Sequence, residues 1–215
     1  MPFTASNFAS WVFNKEVGHY RQRAIGRVWQ EYSGEQHFDW EKDRMHLGYL
    51  SHYEIEEMRR NHFPYGWKAD DKKLWSVDYW DTGENSEILK SSILRNSTDG
   101  RKLRGKPDLV LTNNNDHHVV IIERKTTKKS SEELRWGSSD AATWPNCQAQ
   151  LWSYAHLDRY VSAPRIFLIL QPWFRDQMGN HTMGETTPPR VFEKGSEFDR
   201  QNLRRFEAYG GVRSG

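Results

Sequence analysis

The sequence holds one cysteine, Cys147, among 215 residues. A disulfide within the chain is thereby excluded, as are a cysteine-rich zinc site and a four-cysteine iron–sulfur cluster. Cys147 itself reads as a small apolar packing residue. Long hydrophobic runs are also missing, and nothing approaches the ~18 consecutive apolar residues of a membrane span. The N-terminus lacks the apolar stretch of a secretory leader, so a soluble, intracellular (cytoplasmic) protein without membrane association is expected. No GxxxxGK[ST] phosphate loop is present, and ATP-driven unwinding would need a helicase partner. An excess of one charge is lacking as well. The 31 basic and 29 acidic residues leave a net charge of +2, so attraction to a polyanion must come from local clustering.

What the chain does have is aromatic residues. Only 36% of it is hydrophobic and the mean hydropathy is −0.93, but 10 Trp, 9 Tyr and 10 Phe supply large buried areas per residue. Basic residues cluster twice. Arg101, Lys102, Arg104 and Lys106 form one group, and Arg124, Lys125, Lys128 and Lys129 the other. Apolar positions at helical spacing predict helices over 5–33, interrupted at Gly18, and over 39–62, ended by Pro64 and Gly66. Residues 68–86 are ambiguous, and 87–95 suit a strand followed by an Asn-Ser-Thr-Asp-Gly turn. Two strands are expected at about 106–112 and 117–124, the second carrying the run Val119–Ile122 of a central strand. A polar loop over 126–144 comes next, then a helix from Pro145 to about Tyr160 and a strand over 164–170. Beyond 171 the chain is polar, with a short strand at 190–192 and a helix near 197–208. A single domain is expected, with its core at about 45–170, a helical segment 1–44 and a C-terminal extension 171–215.

The two central strands end in chemistry. The first begins at Pro107-Asp108 and the second closes on Glu123-Arg124-Lys125. Side chains alternate across a strand, so Glu123 and Lys125 share a face. Unpaired charges at the ends of buried strands are costly, and a divalent cation would remove that cost while creating a hydrolytic site. The basic runs beside these carboxylates, Arg104 and Lys106 among them, point to phosphate contact.

The order helix, strand, strand with Pro107-Asp108, strand with Glu123-x-Lys125, helix, strand resembles the αβββαβ core of the PD-(D/E)xK nuclease superfamily. Downstream, Gln150-Leu151-Trp152-Ser153-Tyr154 resembles the QxxxY motif of its RecB-like branch. Upstream, Gly48-Tyr49-Leu50-Ser51-His52 followed by Glu56 resembles that branch's GxxxH helix. The resemblance implies an α/β (α+β) fold of the restriction-endonuclease type, a mixed sheet flanked by helices. It also implies a Mg²⁺- or Mn²⁺-dependent nuclease. Asp108 and Glu123 would be the metal-binding carboxylates, joined by the backbone carbonyl of Arg124 and by His52. Lys125 would orient water or stabilise transition-state charge, and Glu56 would assist His52. Gln150, Tyr154, Thr126 and Lys128 would line the substrate groove. Trp136 and Trp144 are candidates for stacking on an unpaired base. Many RecB-like CRISPR-associated exonucleases carry a four-cysteine iron–sulfur cluster, which this chain cannot hold. The implied substrate is single-stranded or linear duplex DNA, cut by an exonuclease in recombination, repair, phage DNA processing or defence. A recombinase partner or a homo-oligomer is compatible with this reading. Two alternatives stay open: a sequence-specific endonuclease, and a non-catalytic nucleic-acid-binding module that keeps the fold.

Overall fold

The computed structural model describes residues 2–17, 75–81, 86–127, 145–175, 181–183 and 189–214. In chain order these form helix α1 (Ala5–Val12), strands β1 (Trp75–Trp80), β2 (Leu89–Asn96), β3 (Lys102–Gly105), β4 (Leu109–Asn113) and β5 (Val119–Thr127), helix α2 (Pro145–Ala155), strands β6 (Ile166–Arg175), β7 (His181–Met183) and β8 (Arg190–Phe192), helix α3 (Glu197–Ala208) and strand β9 (Gly211–Arg213). The protein is an α+β fold with a mixed sheet flanked by helices. Strands β1, β4, β5, β6 and β7 lie side by side, and β8 also pairs with β6. Pairing is antiparallel from β1 to β5, while β5 and β6 run parallel across the α2 crossover. Parallel neighbours need such a crossover, and the helical stretch after Pro145 supplies it. A second sheet, in the order β3-β2-β9, is built from the hairpin inserted between β1 and β4.

Local chemistry explains the elements. Thr4 caps α1 by accepting from the Asn7 N–H at 3.1 Å, and Ala5, Phe8, Ala9 and Val12 fall on one buried face. The β4–β5 turn closes where the Asn113 side chain accepts from the N–H groups of Asn115 and Asp116. The β5 run Val119–Ile122 is buried on both faces. One face, with Val119, Ile121 and Val110, packs under α2 and α1 together with Trp152, Tyr154 and Phe8. The other, with Val120, Ile122, Leu109 and Leu111, makes a smaller cluster against Trp75, Trp80 and Phe167. Each such side chain removed from water stabilises the fold by about 1.5–3 kcal/mol.

The structure corrects several boundaries. The first central strand begins at Leu109, not 106, and the basic run before it is a separate strand, β3, in the smaller sheet. Pro107 lies between the two, where its missing N–H ends one ladder before the next begins. Helix α2 stops at Ala155 instead of continuing to Tyr160. The His156 ring reaches back to the Trp152 carbonyl at 2.8 Å, the oxygen its own N–H would use in a continued helix. That N–H turns to the Ser153 carbonyl instead. Strands β5 and β6 run on to Thr127 and Arg175, β1 falls in the ambiguous stretch, and β9 was not anticipated. β2, β8 and α3 lie where expected, and Cys147 is buried as read. The expected helix over 39–62 and the loop residues 128–144 lie outside the described residues, as does the 5–33 helix beyond Val17.

Candidate functional site

Strand register brings the carboxylates together. Leu109 is opposite Ile122 on β5 and opposite Trp80 on β1. One further step in each ladder sets Asp108 opposite Glu123 on one side and opposite Asp81 on the other. The Asp81 N–H donates to the Asp108 carbonyl at 3.1 Å, which fixes the second step. The Asp108 carboxylate accepts from the Arg124 N–H at 2.5 Å, which fixes the first. Asp81, Asp108 and Glu123 therefore form a transverse row over three adjacent strands. By parity the row lies on the α2 face, where Tyr79, Val110 and Ile121 are buried. Glu123 is only 1% exposed.

Helix α2 closes this end of the sheet. Gln150 and Tyr154, four residues apart on one helix face, are both buried. The Gln150 amide donates to the Tyr154 hydroxyl at 2.7 Å, and that hydroxyl donates to the Lys106 carbonyl at 3.0 Å. A Cβ at Gly105 would come within 2.9 Å of the Tyr154 ring, so glycine is what lets the segment lie flat on it. The Gln-Tyr pair thus clamps the turn 105–107 that aims Asp108. Burial pushes the Tyr154 phenol well above its ordinary range, and the charges of Glu123, Asp108 and Asp81 push it further the same way. It stays a neutral hydroxyl and a reliable donor.

Arg124 occupies the opposite face. Its Nε donates to the Gln171 side chain at 3.0 Å, from the residue paired with it on β6. Burial pulls its guanidinium down to about 10, with the Asp108 charge opposing that shift. Lys106 lies 4.0 Å from Asp81 across the row. Lys125 and Thr126 continue β5 beside Pro172 and Trp173 of β6. Arg104 is exposed on β3, outside the row. His52, Glu56, Lys128, Trp136 and Trp144 lie outside the described residues.

Among the described residues, no three His, Cys, Asp or Glu side chains converge closely enough to hold a metal ion by themselves. Mg²⁺ does not require that, because it keeps several waters and commonly takes one or two carboxylates together with substrate phosphate. Asp108, just before β4, and the buried Glu123 on β5 would fit such a partial shell. Sequence reasoning missed Asp81. Its signal was the spacing Tyr79-x-Asp81, a buried aromatic followed two residues later by an acid at a strand end, in a stretch whose strand character was ambiguous. Sequence reasoning also placed Gln150 and Tyr154 against substrate, whereas here they bond each other and the backbone.

No family model and no curated protein matches the chain. Among solved structures, "Crystal structure of SSO0001" aligns at 15% identity with a TM-score of 0.34, covering 95% of this chain and 72% of that one. A likeness of that size carries no argument about activity. No helix among the described residues is long and apolar enough to cross a membrane.

Proposed function

We propose that the protein is a divalent-metal-dependent nuclease that hydrolyses DNA phosphodiester bonds. The observation that carries this reading is the Asp108–Arg124 hydrogen bond, which ties the Asp108 carboxylate to the backbone next to the buried Glu123 at the end of a core strand. Negative charge gathered in a water-poor place is expensive as pure structure and is the common signature of a working site. Asp108 and Glu123 would hold Mg²⁺ or Mn²⁺, which when bound supplies Lewis-acid activation of water and neutralises phosphate charge. Each residue then has a task. Gln150 and Tyr154 hold the turn at Lys106, Asp108 is oriented by the Arg124 N–H, and Lys125 is assigned the ammonium that meets charge developing on the phosphate. Single-stranded or linear duplex ends are the assigned substrate, consistent with the motif resemblance.

The test uses end-labelled single-stranded, duplex and covalently closed circular DNA with Mg²⁺, Mn²⁺ or EDTA. Degradation of linear forms with either metal, silence in EDTA and loss of cleavage in Glu123→Gln are expected. Cleavage that survives EDTA or the substitution overturns the reading, and cutting of the closed circle overturns the exonuclease part.

A further inference from the structure

The small β3-β2-β9 sheet carries an arrangement that folding alone disfavours. Lys90 on β2 is directly opposite Arg104 on β3, and Arg95 is directly opposite Lys102. Like charges facing each other across an antiparallel pair repel. Between the two pairs β2 bulges at residues 92–94, and the burial pattern keeps all four cations off the inner face, which is held by Leu89, Ser91, Leu94 and Leu103. Lys90, Lys102 and Arg104 are exposed and Arg95 is half-buried. Among the described residues none of the four forms an ion pair, although ion pairs are plentiful elsewhere, as at Arg101–Asp99, Arg159–Asp78 and Arg204–Glu197. Lys102 donates to the Ser92 hydroxyl and Arg95 to the Ser92 carbonyl, so two of the cations are tethered to the bulge and pre-positioned. Asp158 is the acid at this bulge, and it accepts from the Ser92 N–H and hydroxyl.

The ribbon also leads somewhere. Strand β3 runs from Lys102 through Arg104 into Gly105, the residue flat against the Tyr154 ring, and three residues later comes Asp108. Along a strand, alternate residues stand about 7 Å apart, so Lys102 and Arg104 offer evenly spaced cations in file towards the carboxylate row. We infer that this cationic β-ribbon binds the phosphate backbone of a nucleic-acid strand and tracks it to the Asp108–Glu123 end of the sheet. Four cations in facing pairs on one outer face of the ribbon, without an ion pair among the described residues, answer a partner with regularly repeated anions, and the chain's net charge of +2 makes their segregation the source of the attraction. The tracking direction rests on the proposed nuclease site, whereas backbone binding by the ribbon does not.

The test is metal-free binding of a fluorescein-labelled single-stranded oligonucleotide, read by anisotropy across a salt series, to the whole chain. Lys102→Gln/Arg104→Gln and Lys90→Gln/Arg95→Gln should each weaken binding by about tenfold near physiological salt. Each should also lower the slope of log K against log salt by ~1.4, the value for two lost phosphate contacts on a single strand. Arg200→Gln/Arg204→Gln, exposed on helix α3 and ion-paired with Glu197, should change neither. Thermal melts should show the ribbon variants as stable as the parent or more so, because a repulsion has been removed. Unchanged affinity and slope, an equal loss in the α3 variant, or equally tight binding of poly-glutamate to the parent would each overturn the inference. Binding that weakens as expected in a protein that cuts no DNA keeps the ribbon and discards the nuclease. Metal-dependent cutting with binding untouched does the reverse.

Discussion

Two buried acids, Asp199 and Glu123, have different electrostatic surroundings. Asp199 on α3 is wholly buried and saturated with donors: the Trp152 indole N–H at 2.8 Å, the Gly195 N–H at 2.7 Å, and Arg213 at 2.7 and 2.8 Å. Burial pushes its carboxyl up, but these bonds outweigh burial and hold it below the usual range. Glu123 is equally hidden, but the residue beside it in the transverse row is another acid, Asp108, with Leu170 on its β6 side. The first arrangement ties the C-terminal segment to α2 and is complete in itself. The second gathers three acids at the end of a core strand, with Lys106 4.0 Å from Asp81 and the Arg124 N–H donating to Asp108. Under the proposed function, the matched end is a structural knot and the acid-rich, mismatched end is where a cation would bind.

The largest effect should come from breaking the matched end. Asp199→Ala leaves the Arg213 guanidinium, the Trp152 N–H and the Gly195 N–H without their acceptor. A loss of about 3–5 kcal/mol in urea unfolding is expected, with cleavage per folded molecule little changed. An effect under about 1 kcal/mol would remove the distinction drawn here. At the mismatched end the pattern reverses. Glu123→Gln should lower cleavage by about 10³-fold while leaving the chain folded, because the amide keeps the side chain's shape and removes only its charge. A strongly destabilised variant would make Glu123 a structural residue instead.

The matched end should also respond to pH. Burial lowers the His156 pKa to about 4, with Asp199 opposing the shift, so the fold holds the ring neutral. Its unfolded value is about 6.5, and the unfolded chain therefore binds the extra proton first as pH falls. This contribution is fully present above about pH 6.5 and is lost on descent to about pH 4, by about 3 kcal/mol in all. Urea midpoints measured from pH 7 to 4 should fall accordingly, and His156→Gln should flatten that part of the profile. The smallest change is Tyr154→Phe, which removes the donor to the Lys106 carbonyl without removing the ring. Roughly 1 kcal/mol of stability should be lost, with a higher Mn²⁺ concentration required for half-maximal rate and little change in DNA affinity. A loss of DNA affinity instead would return Tyr154 to the substrate surface.

How much of this was legible in the sequence follows from the range of the signals. The β-branched run Val119–Ile122, the Pro107-Asp108 entry and the Glu123-x-Lys125 exit are local, and period-2 alternation carried them to one sheet face without a structure. The Gln150–Tyr154 spacing was equally legible, but its target was not, since the Lys106 carbonyl is brought to the phenol only by tertiary packing. Asp81 was hidden for a related reason. Its strand is flanked by charged residues and interrupted by a bulge between Val77 and Tyr79, so no clean alternation announced it. The basic run 101–106 was read for its charge, and its strand character emerged only with the structure. The facing cations Lys90 and Arg95 came into view only with the register of the second sheet.

Isothermal titration of Mn²⁺ into the metal-free protein in the presence of a non-cleavable single-stranded phosphorothioate DNA tests the central claim most directly. The account predicts saturable uptake in the parent chain that disappears in both Asp108→Asn and Glu123→Gln, with circular dichroism showing each variant folded. Uptake that persists undiminished in both variants, or no uptake in the parent, would contradict it.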